Sequence, residues 1–381
     1  MAKGKLGFGW MRLPQKSENP EDIDFEQVNQ MVDAYLDAGF DYFDTSYVYH
    51  NGKSENAIQR CLISRYPREK FRLASKLPTF AITKEEQVEE IFAQQLEKCG
   101  TEYFDYFLLH NVNGIRYERE IKECHMFEHM QQWKKDGKIR HIGFSYHDSA
   151  DNLDKILSEH PEVEFVQIAL NYIDWNAYLI QAKKCYEVIR KHGCQVIVME
   201  PVKGGMLAKV PEKAEALMKQ EAPRMSQASW AIRFAAGLDG ILTVLSGMSD
   251  LAQVEDNISY MKDFQPLNDR ELKILKEVSR IYKEEGPVHT ADFSKYEEIS
   301  PKGVSAAAIL EAYNNCMLQP NPGFAAEHNY FSVEKAKHGI KTEENCIPLP
   351  AVLSEGTDIS DMVKEAEGFL NSNAFFQYEV Q

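Results

Sequence analysis

Between Lys5 and Met261 one pattern recurs eight times: a short apolar run rich in β-forming residues, a polar loop, then a segment with helical periodicity. The runs are KLGFGW from Lys5, FDYFDT from Phe40, FRLASK from Phe71, DYFLLH from Asp105, IRHIGFS from Ile139, FVQIALN from Phe165, QVIVMEP from Gln195 and ILTVLSG from Ile241. Eight β/α units in about 257 residues predict an α/β fold, a (β/α)8 TIM barrel of parallel strands. A doubly wound sheet would carry GxGxxG after its first strand, and that fingerprint is absent.

The intervening segments read as amphipathic helices. Val28, Met31, Val32, Tyr35 and Leu36 share one face, as do Val88, Ile91, Phe92, Leu96 and Cys99. Asp24 with Gln27, Thr83 with Glu86, and Asp250 with Gln253 have the spacing of a capping box or its acidic variant, and Gly39, Gly100 and Gly193 follow helix ends. After Met261 the alternation stops, which divides the chain into a barrel at 1–265 and a mostly helical and irregular C-terminal extension at 266–381. There a helix is expected from Asn268 through Ile281, started by Asn268 and Glu271 and striped by Leu272, Leu275, Val278 and Ile281. Shorter helices are expected over Ser305–Tyr313 and Ile359–Leu370.

Charge narrows the partners. With 43 basic and 59 acidic side chains the chain carries −16, so its field repels nucleic acid and anionic membrane. No segment reaches the ~18 apolar residues of a membrane span and MAKGKLGFGWMRLPQK is no signal peptide, so a cytoplasmic location is expected. The seven cysteines include no CxxC pair and read as reduced thiols, with neither disulfides nor a metal site.

In parallel barrels chemistry gathers at the C-terminal ends of the strands. The second run ends in Asp44, the third in Lys76 and the fourth in His110, while Tyr47 and Tyr49 follow in FDTSYVYHNGKSE. Singly, each has an ordinary reading: an Asp capping a turn, a solvated rim Lys, a packing His. Jointly they form a proton-transfer set. A phenol titrates near 10, a nearby ammonium lowers that value, and a carboxylate is needed to keep a desolvated ammonium charged. His110 then orients a carbonyl oxygen. Spacing within the stretch does not choose between the two tyrosines.

The motifs FDTSYVYHNGKSE, LASKL, DYFLLHN, GKIRHIGFSYH, VQIALNYI, VMEPVKGGML and LSGMSDLAQVEDN, in this order, resemble those of the aldo-keto reductase superfamily over residues 1 to about 265. The resemblance implies a tetrad of Asp44, Tyr49, Lys76 and His110, the tyrosine lying five residues beyond the aspartate, and hydride transfer between a nicotinamide and a small carbonyl or alcohol without a metal. It places Ser145 and Gln167 at the carboxamide, Gly204 and Gly205 at the pyrophosphate, Met199 and Pro201 of VMEP beside the cofactor, and Ser246, Gly247, Gln253 and Asn257 along the adenosine half. Two positions depart from the family: Met199 stands for the aromatic that stacks on the nicotinamide, and Tyr146 follows Ser145 where Asn is usual. NADP(H) is the family's usual choice, yet SGMSDLAQ offers no base for a 2′-phosphate and adds Asp250, so NAD(H) stands beside it. Trp10, Tyr47, Tyr146, His147 and Trp175 are candidates to line a substrate pocket or to pack. A noncatalytic nucleotide-binding sensor or assembly subunit is the alternative, though such a protein needs no tyrosine-lysine couple. Monomer and homo-oligomer are both open.

LGFGWMRLP, GFSYH and the long tail resemble a bacterial branch of that family whose extension is ferredoxin-like and holds clusters in CxxCxxCxxxCP runs. Here the matching runs are PVHTADFSKYEEISPKG from Pro287 and NCIPLPAVLSEGTDISDMVKEA from Asn345, and they keep only Cys346. Each cluster needs four thiolates, so no iron-sulfur cluster is expected. The tail then serves packing, a lid or a subunit contact.

Overall fold

The computed structural model describes residues 4–374. Eight parallel strands each pair with their sequence neighbours, and the last closes on the first. They are β1 (Leu6–Gly9), β2 (Tyr42–Asp44), β3 (Arg72–Leu77), β4 (Phe104–Val112), β5 (Ile139–Tyr146), β6 (Phe165–Ala169), β7 (Gln195–Met199) and β8 (Ile241–Ser246), each overlapping one apolar run. The runs are continuous because both faces of such a strand are covered. On β4, Tyr106 and Leu108 point into the barrel with Tyr42, Ala74, Phe165, Ile197 and Leu245, while Phe107 and Leu109 join the larger core beneath the outer helices. A β-carbon at Gly143 would lie 2.5 Å from the Phe165 ring, so glycine is what lets β5 lie against that plug.

The outer helices bury the expected faces. Val28, Met31, Val32 and Tyr35 are buried on helix Phe25–Asp37, and Val88, Ile91, Phe92 and Cys99 on helix Glu86–Cys99; Leu36 and Leu96 sit at the edges, half-buried. Asp24 caps the first by accepting from Gln27 N at 3.3 Å, and Asp250 caps helix Leu251–Met261 by accepting from Gln253 N at 2.8 Å. The expected cap at Thr83 is not formed. Gln87 instead folds back, and its Oε1 accepts from Thr83 N at 2.9 Å and Lys84 N at 3.0 Å.

Helix Asp269–Glu285 opens with a complete capping box, Asn268 Oδ1 accepting from Glu271 N at 3.0 Å and Glu271 Oε2 from Asn268 N at 2.9 Å. It continues past Ile281. Its buried stripe is Leu275, Val278, Ile281 and Tyr282 against Met206, Leu207, Met218 and Trp230, whereas Leu272 is 36% exposed, so the stripe starts one turn later than expected.

A second core follows, built on helices Ala306–Met317 and Ser360–Ser372. Ser305 caps the first by accepting from Ala308 N at 3.2 Å, and that helix is buried on nearly every side. Helices Pro322–Glu327 and Phe331–Lys337, of 6 and 7 residues, are additional; two turns are too few to show a period. This core is tied to the barrel mouth. Leu179 packs within it, and Glu311 accepts from Tyr178 N at 2.8 Å and from Lys283 Nζ at 2.7 Å. Among the described residues no helix is long and apolar enough to cross a membrane.

Candidate active site

Lys76 lies on β3 with the same inward parity as Ala74, at the carboxyl end of the barrel, and is fully buried. Its ammonium donates to Asp44 Oδ1 at 2.5 Å and to the Thr45 carbonyl at 2.8 Å, which joins the ends of β2 and β3. Burial favours loss of the proton, but the charges of Asp44 and Tyr49 outweigh it and hold the Lys76 pKa above its ordinary value. Burial in turn raises the Asp44 carboxyl against the pull of Lys76.

The two tyrosines point to different places. Tyr47 OH donates to Gln94 Oε1 at 2.9 Å and its ring receives Lys98 at 3.8 Å, outside the barrel mouth. Tyr49 stands over Lys76, whose Nζ is 4.8 Å from the ring centroid, and meets His110 edge to face at 5.9 Å. Its orientation follows from a tight turn in which His50 and Asn51 take positive φ. His50 is itself fixed, accepting from Leu13 N at 3.2 Å through Nε2 and donating to the Pro20 carbonyl at 2.8 Å through Nδ1. Burial raises the Tyr49 phenol, and Lys76 and Arg12 draw it part of the way back.

On β4 the His110 carbonyl accepts from Thr79 Oγ1 at 2.6 Å, and Nδ1 lies 3.1 Å from Ser46 Oγ. Burial, then the charges of Lys76, His147 and Arg116, push this imidazole well below its ordinary value and keep it neutral. Asp44, Tyr49, Lys76 and His110 are thus one contiguous group.

Asp44, Tyr49 and His110 open into a cavity of about 1350 Å³, above the ~300–1,000 Å³ of drug-sized pockets and roomy enough for two ligands. Every one of Ser145, Gln167, Met199, Pro201, Gly204, Gly205, Ser246, Gly247, Gln253 and Asn257 lines it. Ser145 Oγ accepts from Asn111 N at 2.8 Å. Gln167 is buried, its Nε2 faces Met199 Sδ at 3.6 Å, and its Oε1 has no partner. Gly204 and Gly205 have φ of 65° and 96°, and nothing lies within 4 Å of a β-carbon placed on Gly205. Asn257 is drawn inward, donating to Ser246 Oγ at 2.7 Å and accepting from Tyr260 OH. Gln253 and both carboxylate oxygens of Asp250 are engaged with each other at the helix start.

Of the aromatic and polar candidates for a substrate pocket, His147 lines the cavity. Trp10 and Tyr146 are core residues, Tyr47 faces Gln94, and Trp175 packs edge-on against Phe234 at 5.6 Å, so these four are structural.

Several cavity residues carry no signal in the sequence. Lys203 forms a buried pair with Asp174, at 2.7 and 2.6 Å, which pins the loop after β7. Glu200 takes φ of 54° and faces the cavity. Arg12, in the turn after β1, reaches across from the opposite wall. The tail closes one side with Asn315, Gln319, His328 and Asn329. Among the described residues no group of three or more His, Cys, Asp or Glu is arranged to hold a metal.

Comparison with known proteins agrees with this geometry. The family model described as "Aldo/keto reductase family" matches residues 5–280. The oxidoreductase YqkF of Bacillus subtilis is 21% identical over 311 residues, covering 73% of this chain and 94% of that protein. L-galactose dehydrogenase of Arabidopsis thaliana is 23% identical over 263 residues, covering 64% of this chain and 80% of its own. Among solved structures, aldo-keto reductase AKR11C1 from Bacillus halodurans in its holo form superposes with a TM-score of 0.58 at 22% identity, covering 72% of this chain and 91% of that one. An aldo-keto reductase from Klebsiella pneumoniae in complex with NADPH gives 0.59 at 17% identity, covering 73% and 95%. The chain belongs to the aldo/keto reductase family and is an oxidoreductase of that class.

Proposed function

We propose that residues 1–265 interconvert a small carbonyl compound and its alcohol, with a nicotinamide dinucleotide in the cavity and Tyr49 as the acid or base, and that 266–381 form an extension closing the site. The observation that carries this reading is the buried Asp44–Lys76 pair beneath the Tyr49 ring. An ammonium held charged at that place stabilises phenolate, so the phenol can give up a proton to a developing alkoxide and recover it afterwards. Burial keeps Tyr49 protonated at neutral pH, which suits reduction. With Ser46 donating to Nδ1, neutral His110 keeps its proton on Nε2 and offers a hydrogen bond to the substrate oxygen.

The cavity suits the dinucleotide. The unpartnered Gln167 Oε1 has the chemistry to accept from a carboxamide N–H beside Ser145, and Gly205, with nothing within 4 Å of its β-carbon position, leaves backbone open to a pyrophosphate beside Gly204. Bound there, the nicotinamide supplies the hydride chemistry. Met199, beside Gln167, offers a polarisable thioether rather than an aromatic face to the ring. Ser246, Gly247, Gln253 and Asn257 remain the proposed adenosine wall. The NADPH complex of the Klebsiella protein supports a nicotinamide cofactor, and both NADP(H) and NAD(H) remain compatible with the loop after β8. An iron-sulfur cluster is not part of the proposal: Cys316 and Cys346 are buried thiols, raised by burial to about 11 and about 12.

The test is to mix the protein with NADH or NADPH and a panel of aldehydes, sugars and quinones and follow nicotinamide absorbance. Turnover of at least one is expected; tight dinucleotide binding without turnover of any would favour a sensor.

A further inference from the structure

Arg12 is an arginine whose guanidinium makes no hydrogen bond or ion pair among the described residues, in a chain of charge −16. Its position is nevertheless well defined. The stem lies across Gly247 in the loop after β8, with Cδ 3.3 Å from where a β-carbon would stand, and Nη2 is 3.8 Å from the corresponding point on Gly204 in the loop after β7. A side chain at Gly247 would press on the stem, whereas one at Gly204 would only touch the guanidinium. The head therefore faces the cavity between the two loops, with the Gln319 amide oxygen of the tail 3.3 Å from the same point on Gly204 and open space over Gly205.

We infer that Arg12 is a clamp for the pyrophosphate of the bound dinucleotide, gripping it from the β1 side against Gly204 and Gly205. This rests on the proposed nicotinamide site. The planar guanidinium fork presents paired N–H donors that match two phosphate oxygens, and a diphosphate is the ligand charge that an uncompensated cation at this place would take up. Arg12 also acts electrostatically on Tyr49 and on Glu200, which puts its charge toward the middle of the cavity. Arg12 stands against Gly204 and Gly247, on the side of the proposed pyrophosphate site, while Asp250 at the adenosine end is engaged with Gln253, so the central phosphates are the match. Sequence spacing hides this arrangement, because the three loops meet only when the barrel closes.

The experiment is equilibrium binding of NADH and of NADPH, by fluorescence titration or calorimetry, to wild type, Arg12→Ala and Arg12→Lys, with melting temperatures recorded. Arg12 is exposed to the cavity, so the variants should melt with wild type. Arg12→Ala should raise Kd for both dinucleotides by the same factor, roughly 10- to 100-fold as for a lost charge-assisted contact, and Arg12→Lys should recover only part. The gap should narrow as salt is raised. Weakening of NADPH alone would assign Arg12 to a 2′-phosphate and overturn the clamp. Unchanged Kd in Arg12→Ala, with wild type binding both, would overturn it while leaving the nicotinamide site standing. Wild type that binds neither would overturn the site itself.

Discussion

Lys76 Nζ lies 2.5 Å from Asp44 Oδ1, and both side chains are shut away from solvent. A buried pair of this kind is no source of net stability, yet breaking it leaves one charge uncompensated. Lys76→Met and Asp44→Asn should each lose about 3–5 kcal/mol in chemical denaturation. The double variant should recover part of that loss and none of the turnover, because in the proposed mechanism the pair holds an ammonium under Tyr49. Full recovery of turnover in the double variant would separate the pair from catalysis.

His147 should make the fold acid-sensitive. Burial, then the charges of His328 and Arg116, lower it to about 3, whereas an unfolded chain takes up that proton near 6.5. Below that upper value the unfolded state binds a proton the folded state refuses, so stability is complete above pH 6.5 and falls as pH drops toward 3. The slope is at most about 1.4 kcal/mol per pH unit, less where cavity water screens the ring. His147→Gln should flatten the melting-temperature profile across that window, and an unaltered profile would count against the assignment.

All seven cysteines are buried and free. Thiolates are the reactive form, and burial raises Cys61 to about 11, Cys185 to about 12 and Cys346 to about 12. The native protein should release almost no colour with a disulfide reagent over minutes, and seven equivalents after denaturation. Fast native labelling of about two equivalents, mapped to Cys316 and Cys346, would mean that the tail core opens readily.

Glu311 ties the tail to the barrel through Tyr178 N and pairs with Lys283 inside the extension. Glu311→Gln removes the charge opposite Lys283 and should lower stability by about 2 kcal/mol. Because the same helix walls the cavity, KM for a productive substrate should rise more than kcat falls. Equal kinetics with the lower melting temperature would confine the tail to packing.

What was legible in the chain follows from what is local or repeated. The eight strands show as apolar runs because both faces are covered, and the Asn268–Glu271 box shows because its partners are three residues apart. Asp44, Lys76 and His110 are findable because each ends a run. Thr83 misled because Gln87 is long enough to reach the same donors from further along. Aromatic identity does not tell which way a residue faces, and Trp10, Tyr146 and Trp175 went to packing rather than to the pocket. Arg12 and the Lys203–Asp174 pair left no trace, since their neighbours are set by barrel closure and not by spacing.

The most direct measurement is turnover of Tyr49→Phe beside wild type on every substrate that wild type accepts. The phenylalanine keeps the ring against Lys76 and His110 and removes only the hydroxyl. Turnover should fall roughly 10²- to 10⁴-fold, the range for losing a positioned acid, with dinucleotide Kd nearly unchanged. Equal turnover by the two proteins would contradict the assignment of Tyr49 as the proton donor.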